Sequence, residues 1–177
     1  MQSFTAAPWS KGLKAASMLG LAVMIGLGLA AYHAVPYGTQ VPYAEAFGTA
    51  LIAVPPLICV FAFLFVVTGY RLDARYLYVQ RLLWSTRINL SGLGYAWHDP
   101  AAMRRSIRII GNGGLFSITG VFMNTTLGRY RAFVTNPEHA VVLKYPSRTL
   151  VISPTHPRLF LSHLKVVLPG IIVQEHL

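Results

Sequence analysis

An apolar two-helix hairpin, followed by a small β-rich domain closed by one terminal helix, is the fold the sequence predicts. Three observations predict it. Residues 15–35 and 46–69 are apolar stretches without Asp, Glu, Lys or Arg, each long enough for a helix to cross a hydrocarbon core of about 30 Å. From Tyr70 the pattern changes to short alternating runs separated by Gly, Pro and Asn. After Pro157, apolar residues return to helical spacing.

Composition supports the division. Of the 177 residues 54% are apolar and 11% charged, against a usual charged share of about 25%. Before Tyr70 only Lys11, Lys14 and Glu45 are charged. The net charge of +10 would suggest a nucleic-acid partner for a soluble domain. The placement of the basic residues argues against one. Lys11 and Lys14 precede the first stretch, Arg71 and Arg75 follow the second, and no Lys or Arg lies between Lys14 and Arg71. These four residues act as orientation anchors, with both termini cytoplasmic and the short connection outside. The remaining basic excess then faces an anionic leaflet, where each surface cation gains about 1 kcal/mol.

Residues 1–14 read as a polar cytoplasmic segment, with Trp9 and Lys11 at the membrane edge. The following apolar run exceeds a signal-peptide core and ends in Tyr32-His33-Ala34, a poor cleavage site. In the first span Ala22, Gly26 and Ala30 stand four apart, a spacing that lets helix backbones approach closely in lipid. The second span or a second copy of the chain is the expected partner. Pro36, Tyr37, Gly38, Pro42 and Tyr43 mark a turn. Pro55 and Pro56 predict a kink in the second span, and Phe61–Val67 a lipid-facing end. The lone Cys59 reads as a small apolar side chain. The spans offer no charged residue for an ion pathway, which argues against a transporter.

In residues 70–168, Arg71, Asp73 and Arg75 alternate with Leu72 and Ala74, and Arg87 and Asn89 with Ile88 and Leu90. Arg129, Arg131 and Phe133 alternate with Tyr130, Ala132 and Val134. With the runs Tyr76–Leu83, Arg104–Ile110, Leu115–Met123, Ala140–Tyr145 and Thr149–Ile152, about seven short antiparallel strands are expected, as a small barrel or sandwich. Ser153, Thr155 and Pro157 offer a helix start, and Phe160, Leu161, Leu164 and Leu168 an apolar face. Pro169-Gly170 stops the helix, leaving residues 169–177 as a tail.

Strands followed by one terminal helix are the pleckstrin-homology (PH) order. Four parts of the chain carry a closer likeness: Tyr70-Arg71-Leu72, Arg108 to Phe116, Gly128 to Asn136, and Leu150 to Phe160. In these the chain resembles the bacterial PH-domain membrane proteins, in which two membrane helices commonly precede the PH-like domain. The resemblance implies an α+β, mostly β fold: a transmembrane hairpin, then a PH-like barrel closed by a C-terminal α-helix. It implies the bacterial inner membrane, and neither catalytic residues nor a cofactor.

Arg104, Arg105 and Arg108 form the densest basic cluster, which Arg129 and Arg131 extend. They are the candidate contacts for anionic lipid or an acidic protein partner. The first β-turn, Leu83-Trp84-Ser85-Thr86 between Arg81 and Arg87, lacks a Lys-rich phosphate cradle, so specific inositol-lipid recognition is not expected. Gly111-Asn112-Gly113-Gly114 lacks the Lys-Ser/Thr ending of a phosphate loop and reads as a turn or bulge. His98-Asp99 reads as a solvated loop, and His139, His156 and His163 are too scattered to predict a metal site. The expected function is a non-catalytic module docking a protein or anionic lipid at the inner leaflet. The alternative is an assembly subunit acting through its spans, as a homodimer or in a larger complex.

Overall fold

The computed structural model describes residues 2–34 and 43–174. The expected turn residues Pro36, Tyr37, Gly38 and Pro42 lie outside the described residues, as do residues 175–177. Helix α1 spans Lys11–Ala34 and α2 spans Ala44–Leu64. They pack against each other. The less exposed positions run 17, 21, 24, 28, 31 on α1 and 48, 52, 55, 59, 62 on α2. That alternating four-three spacing is the seam of a left-handed helix pair. Gly28 and Gly48 lie in these seams, and α2 continues helically through Pro55 and Pro56.

The strands form two sheets. β1 (Gln2–Thr5), β2 (Val67–Leu72), β3 (Tyr76–Arg81) and β4 (Ser85–Asn89) make an antiparallel sheet in that order. β5 (Tyr95–His98), β6 (Ile107–Gly113), β7 (Ile118–Asn124), β8 (Gly128–Val134), β9 (Val141–Lys144), β10 (Thr149–Ile152) and β11 (Ile172–Gln174) make the second, ordered β11-β5-β9-β10-β8-β7-β6. Helix α3 (Pro157–Val167) buries Phe160, Leu161 and Leu164, as its apolar spacing predicts.

The expectation of about seven antiparallel strands closing a barrel is corrected in three respects. The described residues form eleven strands. β10 pairs with β8, and β11 with β5, in parallel, so the second sheet is mixed. The sheets share no strand, and β4 and β6 end them without closing a barrel. The cause lies in the β8–β9 connection. Asn136 caps a short 3-10 turn, Pro137–His139, which carries the chain past its neighbour. β9 then pairs with β5, and β10 returns between β9 and β8. Alternation reports which face a residue takes; it does not report strand direction or neighbour.

The N-terminal segment also differs from expectation. Within the segment 1–14, read as polar, residues 2–5 are a strand of the domain. Phe4 is their buried residue, with its ring edge-on to Phe160 at 5.1 Å. β2 begins at Val67, inside the predicted second span, because Val66 and Val67 are buried in the domain. β11 places part of the expected tail in the second sheet.

A buried polar cluster locks these pieces together. The Tyr70 hydroxyl donates to the Phe133 carbonyl at 2.6 Å and accepts from the Ser153 N–H at 3.0 Å. Thr135 N–H donates to Ser153 Oγ at 2.9 Å, and Thr135 Oγ1 donates to the Ala7 carbonyl at 2.6 Å. Ala7 N–H donates to the Ser153 carbonyl at 2.8 Å. Ser153 therefore joins β10 to β2, β8 and the N-terminal segment, while His156 takes the cap position of α3.

Candidate functional site

The sheets part where β4 faces β8, and the side chains along that gap are arginines. Alternation on β8 sets this up. Tyr130, Ala132 and Val134 pack in the core on one side of the second sheet, leaving Arg129, Arg131 and Phe133 to face the other. β3 ends at Arg81, opposite Val67, beside the end of α2.

Two cavities meet at Arg131 and Phe133. One, of about 770 Å³, is walled on one side by α2 and on the other by β6–β8, with Arg81, Arg108 and Arg131 along it. Its helical wall is Val54, Leu57, Ile58, Phe61, Ala62 and Phe65, one face at three-and-four spacing. The other, of about 740 Å³, lies between β4 and β8 and is lined by Arg87, Arg129, Arg131 and Arg148. None of the described residues lining either cavity is Asp or Glu.

Arg81 is held in place and incompletely satisfied. Its guanidinium donates to the Phe65 carbonyl at 2.8 Å and lies 5.1 Å from the Phe65 ring, 5.5 Å from Phe133 and 6.0 Å from Trp84. Its Nε is buried without a partner. Burial, and then the charge of Arg131, holds its pKa below the usual value for arginine. Arg131 shares the Phe133 ring with Arg81, 4.9 Å from its centre. Arg108 lies back along β6, within 3.0 Å of the position a Cβ on Gly113 would occupy.

The floor of the first cavity is bare backbone. Gly111 and Gly120 are paired across β6 and β7 with φ of 115° and 141°. Each would drive a Cβ into the other strand. The β6–β7 turn is fixed by Asn112, whose side chain accepts from the N–H groups of Gly114 and Leu115. That turn is pinned to α1: Ser17 Oγ donates to the Gly114 carbonyl at 3.0 Å and accepts from the Phe116 N–H at 2.9 Å. Phe116, at φ 65°, meets Trp9 and Phe63. The glycine run thus supplies a strand and a turn that bring the sheet against the helices.

Of the residues singled out by sequence, Arg108, Arg129 and Arg131 come together here. Arg104 and Arg105 do not; they are exposed in the turn between β5 and β6, with Arg105 at φ 52°. Arg71 lies over Tyr78 at 5.5 Å, and Arg75 is exposed in the β2–β3 turn. β2 carries the chain about 17 Å from α2 before Arg75, so Arg81 is the cation that stands beside the helix end. Ala22, Gly26 and Ala30 are exposed, and nothing lies within 4 Å of a Cβ on Gly26. Arg81, Arg87 and Arg148 join the site without having been selected by sequence. Their signal, single cations at a strand end, within a strand or in a turn, is shared by solvated arginines.

The other polar candidates have local structural uses. Asp99 accepts from the Ala101 N–H at 2.7 Å, and His98 bonds the Glu138 carbonyl at 3.1 Å. His139 and His163 bond carbonyls of Thr155 and Leu159. Among the described residues no three metal-ligating side chains gather.

Two sheets with a helix after the β9–β10 hairpin, and a cationic gap between them, define a PH-like domain on an apolar helical pair. Residues 68–168, more than half of the chain, match the family model "Bacterial PH domain", and the chain belongs to that family. PH domains as a class are non-catalytic binding modules. No curated protein and no solved structure matches the chain.

Proposed function

We propose that the protein is a membrane-embedded binding module. In this reading α1 and α2 cross the bacterial inner membrane, and the PH-like domain lies against the cytoplasmic leaflet, where its arginines engage anionic lipid without catalysing a reaction. The pairing of β1 with β2 carries this reading. β1 precedes α1 and β2 follows α2, so both ends of the hairpin return to one sheet. Only Phe65 and Val66 separate α2 from β2, which fixes the domain at the helix ends instead of leaving it on a linker.

Further observations support it. Both helices are long and apolar enough to span, at mean hydropathy 1.9 and 2.3. A core helix of a soluble fold would be mostly buried, whereas only 11% of the most apolar stretch of each is. Leu82, Leu83 and Trp84 are exposed beside the end of α2, with Trp84 5.0 Å from Phe65, an edge suited to the lipid interface. Lys11 and Lys14 favour the cytoplasm for the shared side.

The test is cysteine accessibility in a Cys59→Ser background. Gln2→Cys and Ser91→Cys should resist a membrane-impermeant maleimide in intact cells, while Tyr43→Cys reacts. A chain that leaves the membrane without detergent, or Gln2→Cys and Tyr43→Cys reacting alike, overturns the proposal.

A second reading, an assembly subunit, draws on one observation: Ala22, Gly26 and Ala30 form an uncovered face of α1. A Cβ at Gly26 meets nothing within 4 Å among the described residues, and the position is exposed, so Gly26→Leu should leave the monomer's stability unchanged. If this face holds a second copy or another subunit, the same variant lowers the apparent mass in mild detergent. An unchanged mass removes the assembly reading.

A further inference from the structure

Resting on the membrane reading above, we infer that the cavity between α2 and β6–β8 binds one anionic phospholipid, with its phosphate at Arg81, Arg108 and Arg131 and an acyl chain along α2. The two walls differ in chemistry, and together they fit an amphiphile. The α2 face from Val54 to Phe65 presents only hydrocarbon and aromatic rings to the cavity. Arg108 and Arg131 on the opposite side, with Arg81 at the end of α2, bring three guanidinium groups with no acidic counter-charge among the described lining residues.

Such an arrangement is costly when empty. Arg81 is half-buried, keeps one N–H without a partner, and is repelled by Arg131. An oxyanion between Arg81 and Arg131 would relieve that repulsion, and guanidinium forks match phosphate oxygens in pairs. Arg108 is turned along β6 toward Gly113, so its charge is delivered to the α2 side of the sheet. Between the arginines the sheet side offers Gly111 and Gly120 with the small polar side chains of Asn112 and Thr119, which leaves room for a headgroup.

Size separates a lipid from a free anion. A water occupies about 30 Å³, so a lone phosphate would fill a small part of a cavity of about 770 Å³ and leave the α2 wall wet. A protein segment is disfavoured by the same wall, which belongs to a helix read as lying in the bilayer. The second cavity, reached past Arg131 and carrying Arg87, Arg129 and Arg148, continues the cationic track for a larger headgroup.

The experiment uses the full chain purified in neutral detergent, then incubated with phosphatidylglycerol, phosphatidylcholine or inorganic phosphate and read by native mass spectrometry. One phosphatidylglycerol should be retained per chain, with phosphatidylcholine retained far less. The double variant Arg108→Glu/Arg131→Glu, both residues being exposed, should lower retention about thirtyfold. Ile58→Trp, which fills the apolar side and leaves every arginine in place, should also lower it. Thermal unfolding of each variant separates loss of the site from loss of the fold, and Ile58→Trp keeps the test open if the charge reversals unfold. Equal retention of both lipids, competition by inorganic phosphate, or indifference to Ile58→Trp overturns the lipid site. Because lipid retention is read in detergent, it can fail while the accessibility test succeeds, which would leave the membrane reading standing.

Discussion

Gly120→Ala lowers the stability of the domain by roughly 2–4 kcal/mol, and the unfolding midpoint by about 10–20 °C. Two costs add at this position. Gly120 holds φ at 141°, a conformation that side chains rarely adopt. A Cβ there would also run into the Ile110 carbonyl and stand 2.8 Å from the Gly111 Cα. Both obstacles are backbone, so neither can swing aside. Gly111→Ala meets the reciprocal obstacle and should behave alike. Gly26→Ala is the control: it lies in a helix with open space around it and should be neutral or slightly stabilising. Thermal unfolding followed by circular dichroism separates the three variants. Equal midpoints for Gly120→Ala and Gly26→Ala would show that the close approach of β6 and β7 is not needed. The consequence reaches the cavity, since Gly111 and Gly120 are its floor. Forcing these strands apart also moves the β6–β7 turn, and with it the Ser17 bonds that hold the sheet to α1.

The legible parts of the fold were those with a repeated local signal. The two helices stood out because every turn repeats the same apolar character, and α3 because Phe160, Leu161 and Leu164 recur at helical spacing. Strand β8 was legible as an alternating run, and that alternation correctly put Arg129, Arg131 and Phe133 on one face. Short strands carry too few inward positions to show a period. In β1 a single buried residue, Phe4, marks the strand, and β11 has three residues. Strand neighbours were not legible either, because pairing β10 with β8 instead of β9 alone leaves every local pattern unchanged.

The site was half legible for the same reason. A sequence cluster such as Arg104, Arg105 and Arg108 measures proximity along the chain, whereas the cavity gathers residues from β3, β6 and β8. Only Arg108 points from the cluster into it. Arg81 was discounted because its turn lacks a lysine-rich cradle. Its place in the cavity depends on the end of α2 lying beside that turn, a tertiary fact fixed by the pairing of Val67 with Arg81.

Tyr70→Phe should destabilise the fold by about 2–3 kcal/mol and loosen the N-terminal strand in particular. The phenol is fully buried and serves two backbone partners. Without it the Phe133 carbonyl loses a donor and the Ser153 N–H loses an acceptor. Ser153 also holds Thr135, which grips the Ala7 carbonyl, so the loss is felt where the N-terminal segment joins the domain. Hydrogen exchange should quicken first at Phe4 and Ala7, residues on either side of that junction. The same phenol makes stability depend on alkaline pH. Burial pushes its pKa from the ordinary 10.0 to about 12, because the phenolate would be desolvated. The folded state therefore keeps the proton more tightly than the unfolded chain. That contribution is complete below pH 10 and is lost as pH rises through about 12, a total of about 2–3 kcal/mol. Tyr130 and Tyr145, also raised by burial, add in the same direction. Denaturant unfolding across this window should show a steep alkaline decline in the natural chain and a shallower one in Tyr70→Phe. Equal slopes would mean that Tyr70 reaches water when the chain is folded, and that β1 is held to the rest of the domain by its pairing with β2 and the packing of Phe4 on Phe160 without help from the phenol.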